Sequence, residues 1–204
     1  MTPPTPDATT PTLLLLRCHG TDAQAVRDAA LRWAHDAGRT LQRAAWSHQH
    51  QLAYVYARPS PKTAPHDARW PQTEAQAFAL QCPVASQVEV SRLWSVFAAT
   101  GHSADHPPAF HYVVETDPEP GWNDELHRWY NTEHMPGLAA VPGCIQARRL
   151  HNRDHGPLSL ACYDLTHARV LESAEWLAVR GTEWSSRVRP HFTNTRRTMM
   201  EVWA

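Results

Sequence analysis

The residues best suited to chemistry lie between Gly121 and Leu150, in GWNDELHRWYNTEHMPGLAAVPGCIQARRL. If this stretch begins as a helix, Leu126, Tyr130 and His134 fall at i, i+4 and i+8, and His127, Asn131 and His134 at i, i+4 and i+7. That spacing puts His134 at the helix end, on the border of its apolar face, with Pro136 expected to stop the helix just after it. A histidine in a last helical turn feels the negative end of the macrodipole, which raises its proton affinity. An imidazole of near-neutral pKa in a mostly apolar cavity is what acid–base chemistry on a phenol, an enol or a lactone needs. Tyr130 is the second catalytic candidate, and Trp129 could line the pocket. Each also has a plain structural reading, His134 as a cap on the helix and the two aromatics as core.

The neighbouring strands add weaker candidates. His111 and Glu115 share one face of a strand through Phe110–Glu115, so they meet His134 only if that face lines the cavity. Arg148 and Arg149 point to opposite faces of another strand, so at most one reaches a cavity. Arg148 is taken as the substrate-binding one, because a guanidinium there would hold a carboxylate or enolate oxygen. Its alternative reading is a cross-strand partner for an acid. His48 and His50 sit at a hairpin tip with no third ligand in view, so no metal site is expected. No phosphate loop, nucleophile elbow, dinucleotide fingerprint or zinc finger is present in the sequence, and no cofactor is expected.

Positioning these residues requires two sets of elements in the same order. In the first half, an apolar run Leu13–Cys18 reads as a strand, Asp22 as the cap of a helix that Gly38 ends, and Leu41–His48 and Leu52–Ala57 as a hairpin. A short helix at Gln72–Gln81 and a long strand at Gln87–Phe97 complete it. In the second half the series is Phe110–Glu115, a helix capped by Asn123 or Asp124 and running through Glu133, a hairpin of Ile145–His151 and Ser159–Leu165, a helix at Ser173–Arg180, and a closing strand Arg196–Trp203. β-α-β-β-α-β, twice, is the ferredoxin-like unit repeated.

Each such unit covers one sheet face with helices and leaves the other bare. A bare face carrying Leu14, Leu16, Tyr54, Tyr56, Tyr112 or Val114 must be buried, and a tethered second copy is the nearest partner. The expected fold class is therefore α+β: two ferredoxin-like repeats packed sheet to sheet as an intramolecular barrel with a central cavity. Expected boundaries are a disordered tail over 1–11, a first repeat over 12–99, a linker over 100–108 and a second repeat over 109–204. The Pro-containing stretch 58–71 reads as a long loop.

Bulk properties narrow the partners. With 204 residues, 19 Lys plus Arg and 20 Asp plus Glu, the chain has no field to favour nucleic acid or an anionic membrane. Leu13–Leu16 is too short to span a bilayer and lacks a preceding basic region, so neither a membrane segment nor a signal peptide is expected. Cys18, Cys82, Cys144 and Cys162 are widely spaced and read as buried free thiols in a reducing cytoplasm.

The motif resembles the dimeric α+β barrel superfamily, and within it the EthD-like proteins. The resemblance rests on Trp129, Tyr130, Glu133, His134, Pro136, Val141, Pro142, Gly143, Arg148 and Arg149, with Arg180–Arg197 similar to the ending of such domains. It covers roughly 110–203. The first half has Trp33-Ala34-His35-Asp36 and Gly38 but no His-x-Pro and no VPG, so it is a degenerate copy and one site per chain is expected. The resemblance implies a small hydrophobic or aromatic ligand, handled by a cofactor-free cyclase, isomerase or monooxygenase as monomer or homodimer. The alternatives are a non-catalytic binding or scaffold protein and, less favoured, a haem protein with an axial histidine.

Overall fold

The structure, a computed structural model, describes residues 11–60 and 67–203. The tail expected over 1–11 and the middle of the loop expected over 58–71 lie largely outside the described residues. The class is α+β, with eight antiparallel strands closing a barrel. Contacts divide the chain into two compact units. One runs up to Ser95 and takes in 152–154 and Trp203; the other is 96–151 with 155–202.

In the first unit the series is β1 (Leu13–Gly20), α1 (Ala23–Asp36), β2 (Thr40–Ser47), β3 (Leu52–Arg58), α2 (Trp70–Gln81) and the start of β4 (Ala85–Thr100). β3 pairs with both β1 and β2, and β1 also pairs with β4. Asp22 caps α1 by accepting from the backbone N–H groups of Gln24 and Ala25. Alternation then sorts the strand residues. Leu14, Leu16, Val55 and Ala57 pack with Val26, Ala30, Trp33 and Phe78 in the layer between sheet and helices. Tyr54 and Tyr56 take the opposite face with their cross-strand partners Arg17 and Leu15.

The second unit has the end of β4, β5 (Phe110–Pro118), α3 (Asn123–Trp129), β6 (Cys144–Asn152), β7 (Ser159–Leu165), α5 (Ala174–Arg180), α6 (Glu183–Val188) and β8 (Phe192–Val202). Between α3 and β6 lie a π-helical turn, Tyr130–His134, and a further helical turn, α4 (Met135–Ala139). β5 pairs with β7 and β8, and β7 with β6. Tyr112, Val114, Ala161, Tyr163 and Ala147 face the helices, where Leu126, Trp129, Tyr130 and Trp176 meet them. Thus Leu14, Leu16, Tyr112 and Val114, expected on the bare faces, in fact carry the helix-covered ones. All are strongly apolar or aromatic, and periodicity assigns faces without saying which face the helices cover.

Three local readings are corrected by the backbone. Asn123 and Asp124 lie inside the first turn of α3, whose cap residue Trp122 makes no side-chain bond. The carboxylate of Asp124 favours the turn through the helix dipole instead. The helix does not stop at His134 or Pro136. The wide turn sends the Met135 N–H to the Tyr130 carbonyl, five residues back, so a proline with no N–H is absorbed directly after it. Lastly, β8 begins at Phe192, and the segment before it forms α6, capped by Thr182, whose side chain accepts from the Ser185 N–H.

Gly143 of the VPG turn has φ +91°, and a Cβ there would stand 2.5 Å from Val170 Cγ2, so glycine is required on both counts. All four cysteines are free and buried. Burial pushes the Cys18 and Cys144 thiols up to about 12, far from a reactive thiolate. No helix among the described residues is long and apolar enough to cross a membrane.

Candidate functional site

A small, partly open cleft lies inside the second unit, between its sheet and its helices. β5 and β7 supply Tyr112, Val114 and Tyr163 to its floor, and the helices supply Trp129, Tyr130, His134 and Trp176 to its walls. The site is therefore on the helix-covered side of the sheet, not on the face that carries His111.

His134 is 7% exposed and stacks on Trp129, ring centroids 4.2 Å apart, with the Tyr130 ring edge-on at 5.6 Å. Its Nδ1 is buried and has no hydrogen-bond partner, and the same holds for Trp129 Nε1. Unpaired buried polar atoms cost on the order of 1–3 kcal/mol each, so two adjoining ones in a cavity wall ask for a ligand or water. Burial, then the guanidinium charges of Arg189 and Arg180, pull the His134 pKa down to about 3. The expectation of a raised, near-neutral imidazole is thus corrected. The helix continues past His134 to Ala139, which moves the dipole's negative end away, and desolvation opposes the charged form.

The π-turn explains how His134 gets here. Tyr130 and His134 are four apart within it and both are buried, together with Met135 behind them. Tyr163 donates its hydroxyl hydrogen to Met135 Sδ at 3.0 Å, which ties the turn to β7. Burial pushes the Tyr130 phenol well above its usual range, so it stays a neutral donor at physiological pH.

Of the other candidates, Trp129 lines the cavity and His111 and Arg148 do not. His111 is fully buried on the opposite sheet face, its Nδ1 2.7 Å from Asp164 Oδ1. Arg148 shares that face with its cross-strand partner Cys162. Arg149 is the arginine turned towards the helices. It is buried with no carboxylate partner among the described residues: it donates to Asn131 Oδ1 (2.8 Å) and faces His127 Nδ1 (2.8 Å) and His151 Nε2 (3.0 Å). Its guanidinium also lies over the Tyr130 ring at 5.0 Å, so it braces the back of the cavity wall. Burial and Arg149 push His127 down to about 4.

Residues that sequence reasoning missed are Arg180, Arg189, Phe192 and Arg197, all at the cavity. A signal was present. Arg180–Arg197 holds five arginines against a single acid, Glu183, a local excess of charge in a chain that is otherwise balanced. In the corresponding layer of the first unit, Glu74 accepts from both Trp33 Nε1 and Arg39, and His35 points outward, its side chain 89% exposed. Among the described residues no group of three or more His, Cys, Asp or Glu is placed to hold a metal ion. Of the cavity-lining residues, His134 and the tyrosines Tyr112, Tyr130 and Tyr163 are of types that can ligate a haem iron.

The sequence matches no described protein family and no curated protein. Solved structures do resemble the fold. A candidate monooxygenase from Fusobacterium nucleatum aligns with TM-score 0.65 at 9% identity, over 97% of this chain and 94% of the other. A candidate monooxygenase from Lactobacillus acidophilus NCFM gives 0.60 at 12% identity, over 95% and 93%. An anthrone oxidase-like protein gives 0.59 at 12% identity, over 94% and 91%. At these identities the likeness defines the fold alone, that of an α+β barrel.

Proposed function

We propose that this is an EthD-like barrel protein whose second unit binds a small hydrophobic or aromatic molecule and acts on it without a cofactor, with His134 as the proton-handling group. The observation that carries the reading is a neutral, nearly buried imidazole with an unpartnered Nδ1 in the wall of an aromatic cavity. Because it is uncharged across the physiological range, His134 can accept a proton from an acidic C–H or phenolic O–H of the ligand. Trp129 and Trp176 supply flat apolar surface, and Tyr130 stands beside the histidine. Arg149 acts as a positioning residue through Tyr130. Cofactor-free cyclase, isomerase and monooxygenase reactions can each begin with such a proton transfer, and in the first unit an Arg39–Glu74 ion pair beside Trp33 takes the place of the histidine.

Anthrone is a suitable first probe, since its benzylic C–H is acidic and flanked by rings. Transfer of that proton to His134 leaves the electron pair as an enolate, and reaction with O2 gives anthraquinone plus water (C14H10O + O2 → C14H8O2 + H2O). Dialysed protein is expected to speed anthraquinone formation, and His134→Gln to slow it about 100-fold or more, the usual range for losing a positioned base. A His134→Gln protein that turns over a substrate of the parent at the parental rate would sink the assignment. A Soret band in the freshly purified protein would replace the cofactor-free reading by haem chemistry with His134 as ligand.

A further inference from the structure

Three guanidinium groups converge on the mouth of this cavity from three different elements. Arg180 ends α5, Arg189 follows α6, and Arg197 sits on β8 as the cross-strand partner of Val114. None of them has a carboxylate partner among the described residues. Six arginines elsewhere in the chain do have one: Arg17 with Glu89, Arg39 with Glu74, Arg92 with Asp154, Arg169 with Glu172, and both Arg128 and Arg187 with Glu125. Arg189 donates to the Arg180 carbonyl at 3.3 Å. Burial and the charges of Arg180 and Arg197 lower the proton affinity of Arg189. An unneutralised cluster of like charge at a half-buried site costs folding energy, and so needs a compensating anion.

Resting on the cavity reading above, we infer that the ligand is an aromatic carboxylate, its rings inside against Trp129 and Phe192 and its carboxylate held at the mouth by Arg180, Arg189 and Arg197. Guanidinium groups suit this because each offers a planar pair of donors to two carboxylate oxygens. Phe192, stacked on Tyr130 with centroids 6.1 Å apart, follows directly after the short helical turn Arg189–His191, so one segment supplies both charge and ring. Thr182 keeps this segment docked, its hydroxyl donating to Glu133 Oε1 of the π-turn at 2.7 Å. A negative charge at the mouth also offsets the two guanidinium charges that weaken His134 as a base, so the correct substrate strengthens its own proton acceptor.

The test compares 2-naphthoate with its uncharged analogue 2-naphthamide, titrated into the full chain at pH 7.5 and followed by tryptophan fluorescence and calorimetry. The expected result is at least 10-fold tighter binding of naphthoate. That advantage should shrink at 0.5 M salt and fall to the naphthamide level in Arg189→Gln and in Arg197→Gln, the latter at an exposed position that leaves folding intact. Naphthamide affinity is expected to stay the same in both variants. Equal affinity for acid and amide in the parent, or loss of both together in the variants, overturns the inference while leaving an aromatic cavity in place. Binding of neither compound at millimolar concentration removes the cavity reading itself, and the inference with it.

Discussion

Acid is expected to destabilise this protein well before its carboxylates are titrated, and replacing His134 by Gln to remove a large part of that sensitivity. His134 has a pKa of about 3 in the folded chain against an ordinary 6.5 when exposed. Between those values the unfolded chain holds a proton that the folded chain refuses. Stability is therefore fully present above about pH 6.5 and is lost as pH falls, at about 1.4 kcal/mol per pH unit for one such histidine. From pH 7 to pH 4.5 the contribution of His134 alone is roughly 2.5 kcal/mol, or about 5–10 °C of melting temperature for a chain of this size. His127, held at about 4 by burial and by Arg149, acts in the same direction over the narrower window from about pH 6.5 down to about pH 4. Thermal melts of parent and His134→Gln at pH 7.5, 6, 5 and 4.5 measure the difference. Parallel loss of stability in the two proteins would mean that the imidazole is hydrated and titrates normally. An aromatic carboxylate bound at the mouth, by raising the His134 pKa, should flatten the parent's acid slope.

That pH response illustrates where the sequence was legible and where it was not. The strand pairs read from alternation, Leu52–Ala57 and Ser159–Leu165 among them, stand within a residue or two of β3 and β7. Their signal is local, being apolar runs bounded by turn residues. The capping Asp22 and the required Gly143 are also local and were readable. What failed depends on a third dimension. A proline two residues after a histidine ends an ordinary helix, and only the π-turn, which shifts the hydrogen bond by one residue, lets the helix run on through Pro136. Once the helix runs on, the macrodipole argument for His134 reverses and desolvation decides. Likewise Arg148 and Arg149 were correctly separated onto two faces. Nothing in the spacing says that Arg149 is the one turned towards the helices, because that depends on which face α3 covers.

The two halves also differ in a way that element order conceals. Trp33 and Trp129 both lie on the first helix of their unit, and each ends in a short run with a histidine close by. In the first unit Arg39 lies over Trp33 at 4.3 Å and is neutralised by Glu74, although its buried Nε has no hydrogen-bond partner. In the second, the wide turn brings His134 against Trp129 and leaves both side chains with an unbonded buried nitrogen. The same architecture therefore carries an ion pair beside the tryptophan in one copy and a histidine brought in by an unusual turn in the other. Local rules are most often broken where function needs them broken.

The most damaging single methyl group in the second unit is expected to be the one added by Gly101→Ala. A Cβ at this position would stand 2.2 Å from the Cys144 carbonyl oxygen, 2.6 Å from its carbon and 2.7 Å from the Ile145 carbonyl carbon. All three are backbone atoms at the start of β6, so no side-chain rotation relieves the clash. Nor can the segment move away freely. Gly101 N donates to the Ile145 carbonyl (2.9 Å), Ser103 N to the Cys144 carbonyl (2.8 Å), and Gly143 N to Ser103 Oγ (2.8 Å). These bonds fasten the end of β4 to the VPG turn and hence to α4, which carries Leu138 into the cavity wall. Overlap of this depth with immobile backbone belongs with the exceptional substitutions, on the order of 4 kcal/mol or more. Gly121→Ala is the internal control. Gly121 has φ +87° but nothing within 4 Å of a would-be Cβ, so it isolates backbone strain at about 1 kcal/mol. Urea unfolding of the two variants should place Gly101→Ala far below Gly121→Ala. Gly101→Ala is also expected to lose naphthoate binding beyond what its stability explains, because the β4–β6 fastening sets the position of α4. Equal midpoints for the two variants would show that β6 can shift away from Gly101, and that the cavity wall is softer than these contacts imply.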